Sequence, residues 1–236
     1  MIVTSFSDSP QLNNPVLVEA LPGIGFVASI AGLHLIREVQ ARRFCILHSS
    51  SFQPLALTTD DGEVRAPMNE LYFAKTGTGK DLIILYGNSQ ALTVEGQYEL
   101  SSKILDIIES LGCRNIVTVG GLKREPPVDS PKIFCTATDT QTLAEATLLG
   151  ASTIQGRVYG AAGLLLGLGR LRGMRGCCIL VETLGLYPDV LAARVALDFL
   201  SRLLGLAFDV SRLDRAVEAI QKLLGSPSHE FGVKRE

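Results

Sequence analysis

Short, densely apolar runs alternate along this chain with longer segments whose apolar residues recur every three or four positions. Val16-Leu-Val-Glu-Ala-Leu21 is the first such run; it stops at Pro22-Gly23 and predicts a strand over 16–21. Residues 26–38 carry apolar side chains on most of their circumference, the pattern of a buried helix, and 44–48 form a second strand-like run. A strand, a turn, a helix and a strand in that order predict a parallel α/β sheet.

Residues 52–75 break the rhythm. Short extended pieces at 53–57, 63–66 and 70–75 are divided by Asp60-Asp61-Gly62 and Pro67, and Asp-Gly between such pieces is a hairpin signal. An antiparallel hairpin insertion over 52–80, or an extension of the sheet there, is therefore expected. The strand pattern returns at 81–86, and a helix over 94–111 follows, with Leu100, Ile104, Ile107, Ile108 and Leu111 on one stripe. Further strands are predicted at 115–119, 133–137 and 177–181, and helices at 140–149, 189–204 and 211–224; 161–171 is apolar and glycine-rich. The last helix opens on the capping pair Ser211 and Asp214. The expected organisation is one α/β domain over 1–225 and a flexible C-terminal tail over 226–236.

Composition narrows the function classes. Of 236 residues, 47% are hydrophobic and 19% charged, so little of the chain can stay disordered. A net charge of -2 offers no basic field for nucleic acid. The five cysteines, Cys45, Cys113, Cys135, Cys177 and Cys178, are odd in number and lack a Cys-x-x-Cys pair, and four lie in apolar runs. They predict buried free thiols in a reducing cytoplasm. Polar residues close behind Met1 predict no secretory signal. The longest uncharged stretch, 20–36, is interrupted by Pro22, Gly23, Gly25, Gly32 and His34, so no membrane span is expected.

Gly23-Ile-Gly25-Phe-Val-Ala28 fits the spacing of a dinucleotide-binding turn, whose glycines let the backbone approach a pyrophosphate. A structural turn outweighs that reading, because Pro22 precedes it and the second strand ends in His48-Ser-Ser-Ser51 without a carboxylate for a ribose. Gly77-Thr-Gly79-Lys80 enters a strand rather than a helix and reads as a turn. Asn88, Gln90, Asp139 and Glu182 fall at predicted strand ends, where open α/β sheets form ligand crevices. Helix capping is the favoured alternative there, since Asp139 and Asp189 stand at helix starts. No nucleophile constellation is legible, the three histidines lack metal-type spacing, and neither a catalytic residue, a metal nor a cofactor is expected.

Several of these segments together resemble one family. Leu21-Pro-Gly-Ile-Gly25 before a helix, Leu82-Ile-Ile-Leu-Tyr-Gly-Asn-Ser-Gln90, Thr118-Val-Gly-Gly121, Ala161-Ala-Gly-Leu-Leu-Leu-Gly167 and Val181-Glu-Thr-Leu-Gly-Leu-Tyr-Pro-Asp189 look like an archaeal member of the proteasome assembly chaperone 2 family. The resemblance spans about 16–224. It implies a mixed, mostly parallel sheet flanked by helices as in nucleoside phosphorylases, self-association, and help in assembling proteasome α-subunits. Some members carry an ATP-grasp or carboxylate-amine ligase label, for which this sequence offers no phosphate loop. Relatives that dock on the proteasome can end in a hydrophobic-Tyr-any tripeptide, whereas this chain ends in Lys234-Arg235-Glu236.

The expected function is thus that of a non-catalytic, cytoplasmic, homo-oligomeric protein-binding factor. Its expected partners are proteasome α-subunits or unfolded proteins, with Phe231, Val233, Lys234, Arg235 and Glu236 as a partner-binding tail. The alternative is a small-molecule-binding protein or a phosphorylase-like enzyme. Its ligand crevice would be built from Gly23, Gly25, Asn88, Gln90, Gly120, Gly121, Asp139 and Glu182.

Overall fold

The computed structural model describes residues 2–7, 9–58, 61–125, 130–213 and 215. The chain begins with β1 (Ile2–Phe6) and β2 (Val16–Ala20). A 3-10 turn at Ile24–Phe26 leads into α1 (Val27–Glu38), and β3 (Arg42–Ser49) follows. Then come β4 (Leu57–Thr58), β5 (Val64–Arg65), β6 (Asn69–Ala74) and β7 (Leu82–Gly87). The second half holds α2 (Val94–Ser110), β8 (Asn115–Lys123), β9 (Ile133–Ala137), α3 (Thr140–Leu148) and β10 (Ser152–Thr153). It continues with α4 (Gly160–Leu171), β11 (Arg175–Thr183) and α5 (Val190–Leu204).

Nine strands form one mixed sheet in the order β1-β3-β6-β7-β2-β8-β11-β9-β10, and β4 and β5 form a separate antiparallel hairpin. The four central strands β7, β2, β8 and β11 are mutually parallel. Helices cover both faces of this centre, so its strands read as continuous apolar runs rather than alternating ones. Alternate side chains still choose faces. Val16 and Val18 pack with α1 and α5, whereas Leu17 and Leu21 join the cluster that includes Leu100, Ile104 and Leu165 of α2 and α4. Leu17, Ile83, Ile84 and Leu85 retain no solvent exposure, each burial contributing about 1.5–3 kcal/mol.

The helix ends follow the capping rules. Thr93, Asp139 and Asp189 each accept a backbone N–H from the first turn of α2, α3 and α5. Gly205, with φ of 68°, closes α5 in the left-handed conformation.

Three features emerge only in the fold. The extended piece predicted at 70–75 extends the main sheet: as β6 it lies antiparallel between β3 and β7, burying Leu71 and Phe73. The edge strands β1 and β10 were not legible, because their stability comes from pairing with β3 and β9 and not from an apolar run of their own. The glycine-rich stretch over 161–171 forms α4, where Gly169 lets Ile116 approach and Gly163 lets Val158 approach. The helix predicted over 211–224 lies outside the described residues beyond Leu213 and Arg215, and so does the tail with Phe231, Val233, Lys234, Arg235 and Glu236.

Candidate functional site

Because β7, β2, β8 and β11 run parallel, the loops that leave their carboxyl ends gather along one edge of the sheet. The turn after β2 is held there from three sides. The Gln90 amide donates from Nε2 to the Pro22 carbonyl at 2.6 Å, and its Oε1 accepts the Ala161 N–H at 3.0 Å. One side chain therefore ties the β2 turn to the start of α4. On the other side Asp189 N–H donates to the Gly25 carbonyl at 2.8 Å. Gly121 lies under the turn, where a Cβ would come within 2.3 Å of the Ile24 carbonyl oxygen.

The two glycines of that turn do different things. Gly25 has φ of 63° and is packed so closely that a Cβ would sit 2.7 Å from Thr183 Oγ1. Gly23 is extended, with φ of -153°, and has nothing within 4 Å of a Cβ position. Phe26 also adopts a left-handed conformation, φ of 52°, which is unusual for a residue other than glycine and leaves its ring half exposed.

Between the sheet face and α4 lies a cavity of about 440 Å³, within the usual size range of small-molecule pockets. Gly23, Gln90, Gly120 and Gly121 line it, and Lys123 and Arg157 stand at its rim. Its floor includes Glu19, an ionisable residue near the carboxyl end of central strand β2 that is 1% exposed. Glu19 Oε1 accepts the Leu21 N–H at 3.0 Å, while Oε2 is buried and has no hydrogen-bond partner. Burial pushes the carboxyl up to about 8, against the opposing pull of the Leu21 and Val119 backbone N–H groups. Glu19 is thus largely protonated at neutral pH and can donate as well as accept. Beside it in register, the Thr118 hydroxyl of β8 is also buried, with the Cys178 thiol as its polar neighbour. An unpaired buried oxygen such as Glu19 Oε2 costs about 1–3 kcal/mol.

The structure distributes the sequence-predicted residues unevenly. Gly23, Gln90, Gly120 and Gly121 share the cavity. Gly25 is close by but filled against Thr183. Asn88 faces away, its Oδ1 accepting the Met68 N–H at 3.0 Å. Glu182 is at the right edge, yet its carboxylate is engaged elsewhere: Oε2 accepts the Lys132 N–H at 3.1 Å and Oε1 lies 3.6 Å from Arg124. Asp139 does not belong to this group. It follows β9, which runs antiparallel to β11, and that reversal delivers it to the opposite edge of the sheet. There it caps α3 and meets Arg175 at 3.4 Å, and its hydrogen bonds with Thr142, Arg175 and Thr138 hold its carboxyl well below the usual carboxylate range.

Glu19, the one titratable group on the cavity floor, was missed in the sequence. A signal was present: a lone carboxylate inside a six-residue apolar run that otherwise reads as a central strand. Among the described residues no group of three or more His, Cys, Asp or Glu side chains gathers as a metal site would require. No helix among them is long and apolar enough to cross a membrane.

Comparison with known proteins places this architecture. The uncharacterized protein MJ1210 of Methanocaldococcus jannaschii is 30% identical over 227 residues, covering 95% of this chain and 87% of that one. The crystal structure of Pyrococcus furiosus PbaB, an archaeal proteasome activator, superposes with a TM-score of 0.89 at 32% identity, covering 94% of this chain and 97% of PbaB. Pyrococcus furiosus PbaA, an archaeal homolog of proteasome-assembly chaperone, shares the fold with a TM-score of 0.78 at 22% identity, over 94% of this chain and 90% of that one. A family model described as PAC2 family matches residues 17–225, nearly the whole α/β fold, and the chain belongs to the PAC2 family.

Proposed function

We infer that this protein is a protein-binding factor that acts with the proteasome, working as a cytoplasmic homo-oligomer rather than by catalysis. The observation that carries the reading is the end-to-end similarity to PbaB, an archaeal proteasome activator, at 32% identity and a TM-score of 0.89. The surface supports it. The loops leaving β2, β7 and β11 present Ile24, Phe26, Leu92, Val94, Leu186 and Tyr187 to solvent, an apolar collar around the carboxyl edge of the sheet. Single exposed apolar residues are ordinary, but a clustered set on one edge suits contact with another polypeptide. Phe26, kept half exposed by a left-handed backbone, fits the same purpose.

Light scattering on the full-length protein at micromolar concentration is expected to return the mass of a closed oligomer; a strictly monomeric mass overturns self-association. Full-length protein and a version ending at residue 225 are then mixed with purified archaeal proteasome, and co-migration and peptide hydrolysis are followed. The full-length protein is expected to co-migrate and to change the hydrolysis rate. Loss of both effects in the shortened version assigns the contact to the tail, and retention assigns it to the folded part. No co-migration by either protein overturns the proteasome reading.

A further inference from the structure

The two lateral edges of the main sheet are finished differently. β10, on one side, is only two residues long, Ser152–Thr153, and offers little backbone to pair with. β1, on the other, runs over five residues, Ile2-Val-Thr-Ser-Phe6, and no described strand lies outside it. Open strand edges are ordinarily guarded by charge, proline or a bulge. β1 has none of these: no residue in it is charged or a proline, and it pairs with β3 in unbroken register from Ile2↔Ser49 to Phe6↔Cys45. Ile, Val, Thr and Phe are strong strand formers, and Val3 and Phe6 are 52% and 59% exposed.

The free backbone of β1 has a definite phase. In an antiparallel pair, opposite residues alternate between those that exchange hydrogen bonds and those that do not. Ser7 N–H donates to the Phe44 carbonyl at 2.9 Å, one step beyond the Phe6↔Cys45 pair. Val3, Ser5 and Ser7 therefore bond inward to β3, and Ile2, Thr4 and Phe6 aim their N–H and C=O groups outward. This outward set is symmetric about Thr4. A second β1 laid antiparallel brings Thr4 opposite its own copy and Ile2 opposite Phe6, so every outward group meets its complement. The same register sets each Ile2 side chain beside a Phe6 ring, on the face where Ile2 packs with the α2 cluster. No charge lies in the pairing segment, so a strand facing its own copy meets no repulsion. Next to Phe6, an apolar hollow of about 280 Å³ lined by Pro10, Phe44, Ile107 and Leu111 borders the position that the second copy's Ile2 takes.

We propose that β1 is a self-association edge: two copies of this chain pair their β1 strands antiparallel about a two-fold axis at Thr4, joining their sheets into one. This rests on the homo-oligomeric reading of the protein and names the surface that builds the oligomer. A two-fold contact of this kind presents the same patch on both subunits, so it closes after two copies and covers the open edge of each.

The test is sedimentation velocity on the full-length protein and variants of it at micromolar concentration, with circular dichroism to follow the fold. Thr4→Pro removes an outward N–H that β3 does not use, so the protomer keeps its own ladder while the pairing loses its centre. It is expected to weaken self-association by about tenfold or more. Val3→Lys combined with Ser5→Lys puts cations at two exposed positions that face each other across the axis, and is expected to weaken it comparably. Val3→Glu combined with Ser5→Glu is expected to do the same by itself. An equimolar mixture of the lysine and glutamate proteins is expected to restore the parent's mass, because each lysine then faces a glutamate. If Thr4→Pro does not fold, the charge variants decide alone. An oligomeric parent whose mass survives in every variant overturns the proposal and moves self-association to another surface. Failure of the mixture to restore the mass overturns the pairing as well. A strictly monomeric parent overturns the homo-oligomeric reading itself, and this proposal with it.

Discussion

The two edges of the central sheet hold two carboxyl groups in opposite circumstances. At the amino edge Asp139 is half-buried and fully engaged: it accepts the Thr142 N–H at 2.9 Å, the Thr142 hydroxyl at 2.8 Å and the Thr138 hydroxyl at 3.0 Å, with Arg175 beside it. These donors lower its pKa. At the carboxyl edge Glu19 is buried, with one oxygen on a backbone N–H and the other on nothing, and its pKa rises to about 8. The first arrangement stabilises the fold; the second opposes it. A saturated carboxylate adds to stability, whereas one buried with an unpaired oxygen is a cost that the surrounding packing has to carry. A second cavity, of about 300 Å³, opens at the amino edge near Arg175 and Lys80, but no orphan polar atom lines it.

The largest expected effect concerns Glu19. In the window between its ordinary value of 4.5 and about 8, the native protein holds a proton that the unfolded chain releases. Stability therefore falls as pH rises across that window and is flat above it. Glu19→Gln removes the titration, so urea unfolding is expected to find the variant more stable at pH near 8.5, by up to about 4 kcal/mol, with the gap closing toward pH near 4.5. Equal stability of the two proteins across that range would mean that Glu19 is solvated, and the contrast between the edges would collapse.

Next in size is the turn that roofs the carboxyl edge. Gly25→Ala forces a left-handed residue against Thr183 and is expected to lower stability by about 2–4 kcal/mol. Gly23→Ala meets open space and an extended backbone, so it is expected to change stability by less than about 1 kcal/mol. Thermal unfolding of the pair distinguishes a packed turn from a loose one. Equal losses would contradict the division of labour between the two glycines.

The helix caps allow a direct comparison between edges. Asp189 caps α5 at the carboxyl edge and accepts the Thr183 hydroxyl at 2.7 Å; Asp189→Ala is expected to remove about 1–2 kcal/mol. Asp139→Asn at the amino edge is expected to have a smaller effect, because asparagine keeps a capping oxygen for the Thr142 N–H. Its signature is pH dependence: a lowered pKa adds stability above the unfolded value and loses it as pH falls through the folded one. Melting temperatures of variant and parent are expected to differ at pH near 7 and to converge in strong acid. The smallest effect is kinetic. The free thiols of Cys45, Cys113, Cys135, Cys177 and Cys178 are all buried, so a thiol reagent is expected to react slowly with native protein and with five thiols after unfolding.

What neighbouring residues could announce was readable in advance. The apolar runs of β2, β7, β8 and β11 marked the central strands, and Asp139 and Asp189 marked helix starts, because burial on both faces and capping act within a few positions of the chain. The cavity was half legible: Gly23, Gln90, Gly120 and Gly121 drew attention as turn and strand-end residues. Glu19 did not, since inside a strand its meaning depends on what covers it.

Sequence alone determined the α/β class, the order of most elements, the buried thiols and the family resemblance, all properties of local periodicity or of residues in fixed spacing. Tertiary structure decided the rest. It turned β9 antiparallel and so moved Asp139 to the far edge. It also laid β6 into the main sheet. It brought Gln90 to Ala161, 71 residues away, closing a cavity over Glu19 and leaving one of its oxygens alone. Strand direction and the covering of a side chain are set by contacts between distant segments. The free energy of those contacts comes from burying whole faces against one another, which no short stretch of the chain contains.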